Sequence, residues 1–387
     1  MNEVEQRAAA IVDGIYFDLP AEVYHAVPRL SASALQKLLV SAGTFWRGSW
    51  LDPDRPEPDE DSTKAQILGR AYHTARLEPH LFESSYVRAL DKAEFPSDTL
   101  FTGTEMGAEL AAMGLVKSGS VGEQADRLAA AGCAKPLWHI ALRQWEEERG
   151  DRIPIPANFY DDIVRDMERI RSVPDVAELL QGGAAEVSIF WTDERGMRLK
   201  ARLDYLKATG WSDLKTFDNS RGKELEQTLV DFFRFNRCHV QAAQYRDAVD
   251  AIRSRSITVI EGSAEQRAMI DALVSLREEP ACWYIFVEKN GVPNVLARRC
   301  EFDEVPLNVR AQHAGAGAEG IARVEALTRQ PQLWFTKAQR EVSKAKRRFR
   351  TYSEVYQPGE AWLPFQPLGA FNDMSFNAYW LDEEIGE

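Results

Sequence analysis

The strongest constraint on the fold is an alternating segment in the middle of the chain. From Met197 to Lys207, apolar and charged residues follow one another in turn, which is the period of a strand with one buried face. A strand candidate precedes this segment at residues 186–191, and another follows it at residues 211–217, with polar turns between them. Such a strand must pair with neighbours and be covered on its apolar side. The segment therefore predicts a three-stranded meander against which helices pack.

Helical patterns lie on both sides of this meander. Ser31 or Ser33 can cap a helix that carries three leucines, and residues 63–77 and 223–252 have the helical period. A hairpin with an Asn-Gly turn spans residues 282–302. The order predicts a mixed α/β (α+β) core, with helices flanking a central mixed sheet. Neither GxGxxG nor GxxxxGK[ST] occurs, which argues against a doubly wound nucleotide-binding fold.

The charge balance limits how the protein can contact nucleic acid. The 387 residues include 47 Lys and Arg against 60 Asp and Glu, a net charge of −13. Proteins that coat DNA non-specifically are usually basic, because neutralising phosphates drives that binding. A DNA contact is therefore expected only where Lys and Arg are gathered. Residues 52–61 are acidic and rich in proline, which predicts an exposed linker or loop.

Several sequence features indicate the cellular compartment in which the protein works. No apolar run approaches the roughly 20 residues of a membrane span, and residues 1–20 lack a signal-peptide pattern. The four cysteines are scattered without a CxxC pair, which argues against a disulfide framework and a zinc knuckle. We therefore expect a cytoplasmic protein without membrane contact.

The segment that carries chemistry contains Asp204 and the tripeptide Asp213-Leu214-Lys215. Asp213 and Lys215 are two residues apart on a predicted strand, so their side chains leave the same face. A short hairpin brings Asp204 alongside, and two converging carboxylates suit Mg²⁺ or Mn²⁺. A lysine beside them can hold or deprotonate a water for attack on phosphorus. The alternative is a surface hairpin with ordinary charges, since D-x-K is a short and common pattern.

Four further residues can join this site. His73 lies on the helix predicted at residues 63–77 and could supply an imidazole ligand. Gln241 and Tyr245 stand four apart on the helix after the third strand, so they share a face. Glu186 opens the first strand of the meander. Each also has a structural alternative. His73 could simply face solvent, Gln241 and Tyr245 could be packing and capping residues, and Glu186 could be a solvated strand end.

In this order, the motifs resemble the PD-(D/E)xK nuclease superfamily in its RecB-type version. The amino-acid sequences of these motifs are similar in particular to those of the RecE-like (exodeoxyribonuclease VIII) branch of phage and prophage exonucleases. The resemblance is carried by GIYFDLPAEVYH, SASALQKLL, LGRAYHTARLEP, AAEVSIFW, KARLDYL, SDLKT and HVQAAQYRDAV. These segments run from about Gly14 to Asp250, which is well over half of the chain.

The resemblance implies a metal site and its ligands. Asp204 and Asp213 would ligate Mg²⁺, with Mn²⁺ as a substitute, and the Leu214 carbonyl and His73 would complete the sphere. Lys215 would position the attacking water. Relatives with an iron–sulfur cluster need a tight C-terminal cysteine group, which this chain lacks, so no cluster is expected.

The resemblance also assigns the remaining motif residues. Gln241 and Tyr245 would contact the DNA strand or orient the lysine, and Glu186 would be an auxiliary acidic residue. No motif position holds a residue unable to perform its role, so an active enzyme is expected.

The expected organisation has four parts. Residues 1–84 form the N-terminal part of the nuclease domain, and residues 85–183 form a mostly helical insertion. Residues 184–330 form the catalytic core, and residues 331–387 form a basic helix with an aromatic tail. Within the insertion, a helix–loop–helix at about residues 103–131 resembles a SAP-type DNA-binding module, although Ser120-Val121-Gly122 carries no charge there.

Several basic residues are candidates for contacting DNA phosphates. Some surround the predicted site and others form a stripe on the helix at residues 337–350. For each, a salt bridge or a solvated helix face is the alternative. The candidates are Arg70, Arg76, Arg202, Lys337, Arg340, Lys344 and Arg347.

The function that the resemblance implies is a metal-dependent exonuclease on linear double-stranded DNA. It would act 5′-to-3′ as a ring-shaped tetramer and leave 3′ single-stranded tails for a single-strand annealing recombinase. Two alternatives use the same sequence features. One is an endonuclease or single-strand nuclease of DNA repair or phage defence, and the other is a catalytically silent DNA-binding scaffold.

Overall fold

The predicted meander forms the centre of a mixed seven-stranded sheet. This computed structural model describes residues 2–55, 60–289, 292–304 and 330–365. The sheet strands are β1 (Gly14–Tyr16), β4 (Ala184–Thr192), β5 (Arg198–Lys207), β6 (Gly210–Phe217), β7 (Val259–Glu261), β8 (Ala281–Glu288) and β9 (Val295–Cys300). Their order across the sheet is β7-β1-β4-β5-β6-β8-β9. The pairs β1–β7 and β6–β8 are parallel and the other neighbours are antiparallel, which confirms the mixed α/β expectation.

Two short strand pairs lie outside this sheet. They are β2 (Tyr86–Arg88) with β3 (Ile153–Ile155), and β10 (Asp303–Glu304) with β11 (Gln330–Pro331). The first pair is parallel and lies within the segment expected to be mostly helical. Three-residue strands are too short to show a clear alternation, so no sequence pattern indicated them.

Some helices pack on the two faces of the sheet, and others form smaller cores of their own. The helices of the described residues are α1 (Glu3–Ala9), α2 (Ala21–Ala26), α3 (Ala32–Val40), α4 (Ala42–Arg47), α5 (Glu60–Leu77), α6 (Pro79–Ser85), α7 (Gly103–Ala112), α8 (Val121–Ala130), α9 (Trp138–Arg149), α10 (Ala157–Ser172), α11 (Pro174–Glu178), α12 (Leu225–Phe235), α13 (Cys238–Arg253), α14 (Ala264–Ser275) and α15 (Leu333–Val355). A short 3₁₀ helix spans Lys92–Glu94. Ser31 caps α3 as predicted, since its side chain accepts a hydrogen bond from the backbone of Ala34. None of the helices in the described part of the chain is long and apolar enough to cross a membrane.

The main core lies between the sheet and helices α3, α13 and α15. Strand residues such as Val187, Leu199 and Leu203 are fully buried there against Val240 and Ala345. A second core on the opposite face joins Leu77 of α5 to Leu214 of β6. The strand that carries the predicted chemistry is therefore buried on both faces, which holds its side chains in place.

Gly210 allows β6 to approach β8 closely. Its φ is +144°, and a Cβ built on it would lie 2.0 Å from the backbone oxygen of Ala281. Only glycine accepts both this conformation and this distance. In the parallel pairing of these strands, Asp213 lies opposite Tyr284.

The helix predicted over residues 223–252 is in fact two helices. α12 ends at Phe235 and α13 begins at Cys238, because Arg237 between them is left-handed, with φ +52° and ψ +36°. The side chain of Gln36 on α3 donates hydrogen bonds to the carbonyl oxygens of Asn236 and Arg237. A distant helix thus stabilises a break that the apolar period of the segment does not reveal.

Of the remaining predictions, the hairpin at residues 282–302 is confirmed and the exposed linker at residues 52–61 is confirmed only in part. The predicted hairpin is confirmed by the antiparallel pairing of β8 with β9, in which Cys282 lies opposite Cys300. Asp52, predicted in an exposed linker, is 5% exposed and pairs with Arg47 at 2.8 Å. Residues 53–55 are exposed as predicted, whereas α5 already begins at Glu60, within the predicted linker. Residues 56–59 of the linker and the Asn-Gly turn at residues 290–291 lie outside the described residues.

The proposed division of the chain into four parts stays a prediction. The helix–loop–helix within the second part forms as α7 and α8. These two helices enclose a small core of their own around Met106 and Leu128.

Candidate active site

The candidate site lies where β5 and β6 separate. Backbone pairing of the two strands joins Gly210–Ser212 to Tyr205–Lys207. At the next position, the backbone N–H of Leu214 donates instead to Oδ2 of Asp204, at 2.8 Å. The N–H and C=O of one strand residue point to the same edge, so the Leu214 carbonyl also faces this gap. The gap therefore contains one carboxylate and one backbone oxygen, both suited to a hard cation.

Glu186 enters the same gap from the neighbouring strand. The pairs Ala185–Tyr205 and Val187–Leu203 place Glu186 opposite Asp204. Glu186 has a φ of +52° in the middle of a strand, an unfavourable conformation for a residue with a side chain. Like charges directly opposite each other also destabilise a sheet. Strain of this kind is concentrated at functional sites, so the position of Glu186 indicates a role beyond folding.

His73 on α5 completes a group of three possible ligands. Its Nδ1 lies 3.9 Å from Oδ2 of Asp204 and 4.0 Å from Oε1 of Glu186. One ligand atom from each residue lies within 4.8 Å of the other two. Two ligands each about 2.1 Å from one Mg²⁺ are separated by roughly 3–4 Å, so these spacings suit a divalent ion. Burial lowers the pKa of His73 despite the attraction of Glu186, which favours the neutral imidazole that binds metals.

Asp213 belongs to an adjoining hydrogen-bonded group. Its Oδ1 lies 2.6 Å from Nζ of Lys215, and its Oδ2 accepts a hydrogen bond from Gln241 at 2.8 Å. Gln241 also donates to the hydroxyl of Tyr245 at 3.0 Å, and Tyr245 donates to the backbone oxygen of Arg202. The structure thus brings all the predicted motif residues together. Asp213 is held by Lys215 and Gln241, and Glu186 takes a place beside His73 and Asp204.

The carboxylates of the site affect one another's protonation. Burial and the neighbouring Asp213 raise the pKa of Asp204 well above its ordinary value. Burial alone would lower the pKa of Lys215, but Asp213 and Asp204 outweigh it and raise that pKa. The lysine is therefore held as an ammonium group among carboxylates whose charge is incompletely balanced. A bound divalent cation would relieve this excess negative charge.

Two residues predicted to contact DNA are engaged elsewhere. The Arg76 side chain is 4% exposed and pairs with Asp166 at 2.9 Å, so its charge is neutralised within the fold. Arg202 is 16% exposed and donates to the carboxylate of Glu186 and to the backbone oxygen of Leu19. For both arginines the structure shows the salt bridge that was the alternative. Their expected contact with DNA stays a prediction.

The other predicted basic residues lie at the surface. Arg70 on α5 and the four cations on α15 are exposed. Within the described residues, Lys337 alone among these five forms an ion pair, 3.5 Å from Glu341. Their contact with DNA stays a prediction.

Sequence reasoning missed Tyr284 on β8. The ammonium of Lys215 lies 5.9 Å from the centre of its ring, and its hydroxyl donates to the backbone oxygen of Cys238 at 3.0 Å. The same hydroxyl lies 3.4 Å from Oε1 of Gln241. Tyr284 is buried and reaches the site only because β8 pairs in parallel with β6 after a long crossover. No local pattern around residue 284 signals this.

Comparison with known protein families agrees with the fold. The family described as "PDDEXK-like domain of unknown function (DUF3799)" matches residues 47–274, a range that includes all the motif residues of the site. No curated protein matches the sequence. One solved structure, of a "putative exonuclease" from Eubacterium rectale, aligns with 14% sequence identity and a TM-score of 0.32. That alignment covers 82% of this chain and 90% of the other.

Proposed function

Because this chain belongs to the family of PDDEXK-like domains, we propose that it is a divalent-metal-dependent nuclease. The observation that carries the proposal is the group of His73, Glu186 and Asp204 beside the Asp213–Lys215 pair. An imidazole and two carboxylates can hold a divalent ion, and the adjoining ammonium can orient a water for phosphodiester hydrolysis.

Each residue has a distinct part in the proposed reaction. His73, Glu186 and Asp204 would hold Mg²⁺ or Mn²⁺, with Asp213 and the Leu214 carbonyl as further ligands. The ion, when bound, would stabilise negative charge on the attacking and leaving oxygens. The ammonium of Lys215 donates a hydrogen bond to the attacking water and orients it toward phosphorus.

The surrounding contacts hold these groups in position. Gln241 links the Asp213 carboxylate to the Tyr245 hydroxyl, which is tied in turn to the backbone of β5. Arg202 holds the Glu186 carboxylate from the side remote from His73 Nδ1, since it bonds Oε2 while Nδ1 approaches Oε1. Side chains held this way need little rearrangement when substrate binds.

The finer activity that we propose is exonucleolytic digestion of linear double-stranded DNA. The similarity of the motifs to RecE-like exonucleases supports a 5′-to-3′ direction and 3′ single-stranded products. The same similarity supports a homo-oligomer, a tetramer in particular, and a single-strand annealing protein as partner in phage-type recombination.

The test is digestion of end-labelled linear duplex DNA with Mg²⁺ or Mn²⁺. We expect wild-type protein to release the 5′ label first. Lys215→Ala and Asp213→Asn should lower the rate by about 10²- to 10⁴-fold, the range for removing a group that handles protons or charge in the transition state. Lys207→Ala, at the far end of β5, is the matched lysine control and should keep full activity.

Two results would contradict the proposal. Wild-type protein that is inert with both ions, or activity that survives both substitutions, would remove the nuclease assignment. Closed circular DNA cut as readily as linear DNA would show the endonuclease alternative instead.

A further inference from the structure

The C-terminal end of α12 carries an exposed aromatic side chain beside unpaired cations. Phe235, the last residue of the helix, is 71% exposed. The guanidinium of Arg234 lies 5.4 Å from the centre of its ring. Within the described residues, neither Arg234 nor the nearby Arg221 or Arg237 forms an ion pair. Arg221 lines the same groove as Phe235, and Arg237 follows Phe235 by two residues, so unpaired positive charge is gathered at this end of α12 although the chain has a net charge of −13.

A groove runs between this end of α12 and the loop that follows β6. It has a volume of about 320 Å³, and Phe232, Phe235, Asn219, Asn236, Arg221 and Lys223 line it. The two acidic residues on its wall are already engaged. Asp231 pairs with Lys223 at 2.8 Å, and Asp218 accepts a hydrogen bond from the backbone of Ser220. Asn219 and Asn236 donate to backbone oxygens within the fold, and Lys223 is neutralised by Asp231. The groove therefore offers a ligand an aromatic face and the guanidinium of Arg221, with Arg234 beside the aromatic ring.

This groove begins at the end of β6, the strand that carries part of the candidate active site. The loop and α12 follow directly on β6, which carries Asp213 and Lys215. Phe233, two residues before Phe235, packs edge-on against Tyr284 with ring centres 5.4 Å apart. The Lys215 ammonium lies over that same tyrosine ring. One ring thus separates the catalytic lysine from the helix that carries Phe235.

We propose that this groove binds single-stranded nucleic acid, with an unpaired base stacked on Phe235. The inference rests on the proposed nuclease function and names the form of substrate that reaches the site. An aromatic face stacks on a base of any identity, and flanking cations follow the phosphates. Within a duplex both faces of a base are already stacked, so Phe235 selects an unpaired base or the terminal base of an end.

A second copy of this chain fits the same surface less well. In a symmetric contact centred on Phe235, Arg234 of each copy would approach its counterpart, and like charges would be brought together. A polyanionic strand instead neutralises these cations. We therefore assign the surface to nucleic acid.

The test measures binding of fluorescent single-stranded oligonucleotides with a chelator present, so that no hydrolysis occurs. Phe235→Ala should weaken binding about 5- to 150-fold, the effect of losing one stacked base. Phe235→Trp should retain it. Val230→Ala is the matched control, because Val230 is 59% exposed on the same helix but does not line the groove.

An abasic strand of equal length separates stacking from charge. Phe235→Ala should leave binding of this strand unchanged, whereas Arg234→Ala should weaken binding of both strands. Hydrolysis of bis(4-nitrophenyl) phosphate, a diester without bases, should be the same in Phe235→Ala and wild-type protein. The binding assays do not need catalysis. A wild-type protein without nuclease activity would therefore contradict the proposed function, but the effect of Phe235→Ala on oligonucleotide binding would still test this inference.

Three outcomes would overturn the inference. The first is an equal loss of affinity for the abasic strand in Phe235→Ala, and the second is an equal effect of Val230→Ala. The third is a change in sedimentation of Phe235→Ala with oligonucleotide binding unchanged, which would make the surface a contact between copies of the chain.

Discussion

At the scale of single residues, the site combines features that are unfavourable for folding. Glu186 and Asp204 lie opposite each other on neighbouring strands, and Glu186 is in a left-handed conformation. Such a conformation costs a residue with a side chain about 1–2 kcal/mol. Burial and the nearby Asp213 also raise the pKa of Asp204. A bound cation would offset these costs, so we expect substitutions here to have opposite effects on stability and activity.

Asp204→Asn tests this expectation. The amide oxygen can still accept the Leu214 N–H, while one buried negative charge is removed. We expect metal-free protein to be stabilised by about 1 kcal/mol, because repulsion from Asp213 and Glu186 is relieved. Mg²⁺ or Mn²⁺ should raise the melting temperature of wild-type protein and not that of the variant, which should also lose nuclease activity.

The control for this prediction is Asp271→Asn. The Asp271 side chain is 70% exposed and 3.7 Å from Arg255. Removing its charge should therefore change neither the stability of the metal-free protein nor the rise in melting temperature that the metal causes. Metal-induced stabilisation that persists in Asp204→Asn would show that Asp204 is not a ligand.

At the scale of elements, a buried lysine ties α2 to β5. Lys200 is 5% exposed, and its ammonium donates to the backbone oxygens of Tyr24, His25 and Val27 at 2.8–3.2 Å. These carbonyls belong to the last turn of α2 and to the residue after it, where helix carbonyls lack helical partners. The Val27 oxygen also accepts a hydrogen bond from the backbone N–H of Arg29. The lysine thus anchors the strand that carries Asp204 four residues later.

Lys200→Met should lower the free energy of unfolding by about 1–3 kcal/mol at pH 7, because buried carbonyls lose their donor. Urea denaturation measures this. Lys207→Met is the control, since Lys207 donates to a single carbonyl, that of Glu178, in an exposed position. A loss no larger than that of the control would contradict the anchoring role.

The same lysine predicts a pH dependence. Burial lowers the pKa of Lys200 to about 8, whereas the unfolded chain keeps an ordinary value of about 10.5. Between these values the unfolded state binds more protons, so the Lys200 contribution to stability rises with pH. The stability difference between wild-type protein and Lys200→Met should therefore widen from pH 8 to pH 10. A difference that is constant across this range would show that Lys200 keeps its proton in the fold.

At the scale of the whole molecule, an acidic protein must gather its cations to hold DNA. The exposed face of α15 is opposite its buried residues Phe335, Ala338 and Val342, and it carries the stripe predicted from the sequence. Arg340, Lys344 and Arg347 have no ion pair within the described residues. We expect this stripe to add affinity for the DNA backbone without contributing to catalysis.

Lys344→Ala with Arg347→Ala tests that role. Duplex affinity should fall, and the slope of log K against log salt should become shallower by about one to two units, one per lost phosphate contact. Hydrolysis of bis(4-nitrophenyl) phosphate should not change. Arg255→Ala, at a side chain 65% exposed elsewhere on the surface, is the control. An unchanged salt slope would make the stripe a solvated face.

The sequence by itself determined what depends on local period. The meander, the capped helix α3 and the hairpin were predicted from alternation, a serine and turn residues, and the structure confirms them. The shared face of Asp213 and Lys215 is confirmed for the same reason, since successive strand residues point to opposite sides.

Only the tertiary structure decided which element lies against which. It placed Glu186 opposite Asp204, brought Tyr284 beneath Lys215, buried Arg76 and divided the long helix at Arg237. Each of these depends on a partner between 18 and 201 residues away along the chain. Local period shows which side of a helix or strand a residue occupies, but it carries no information on what packs against that side.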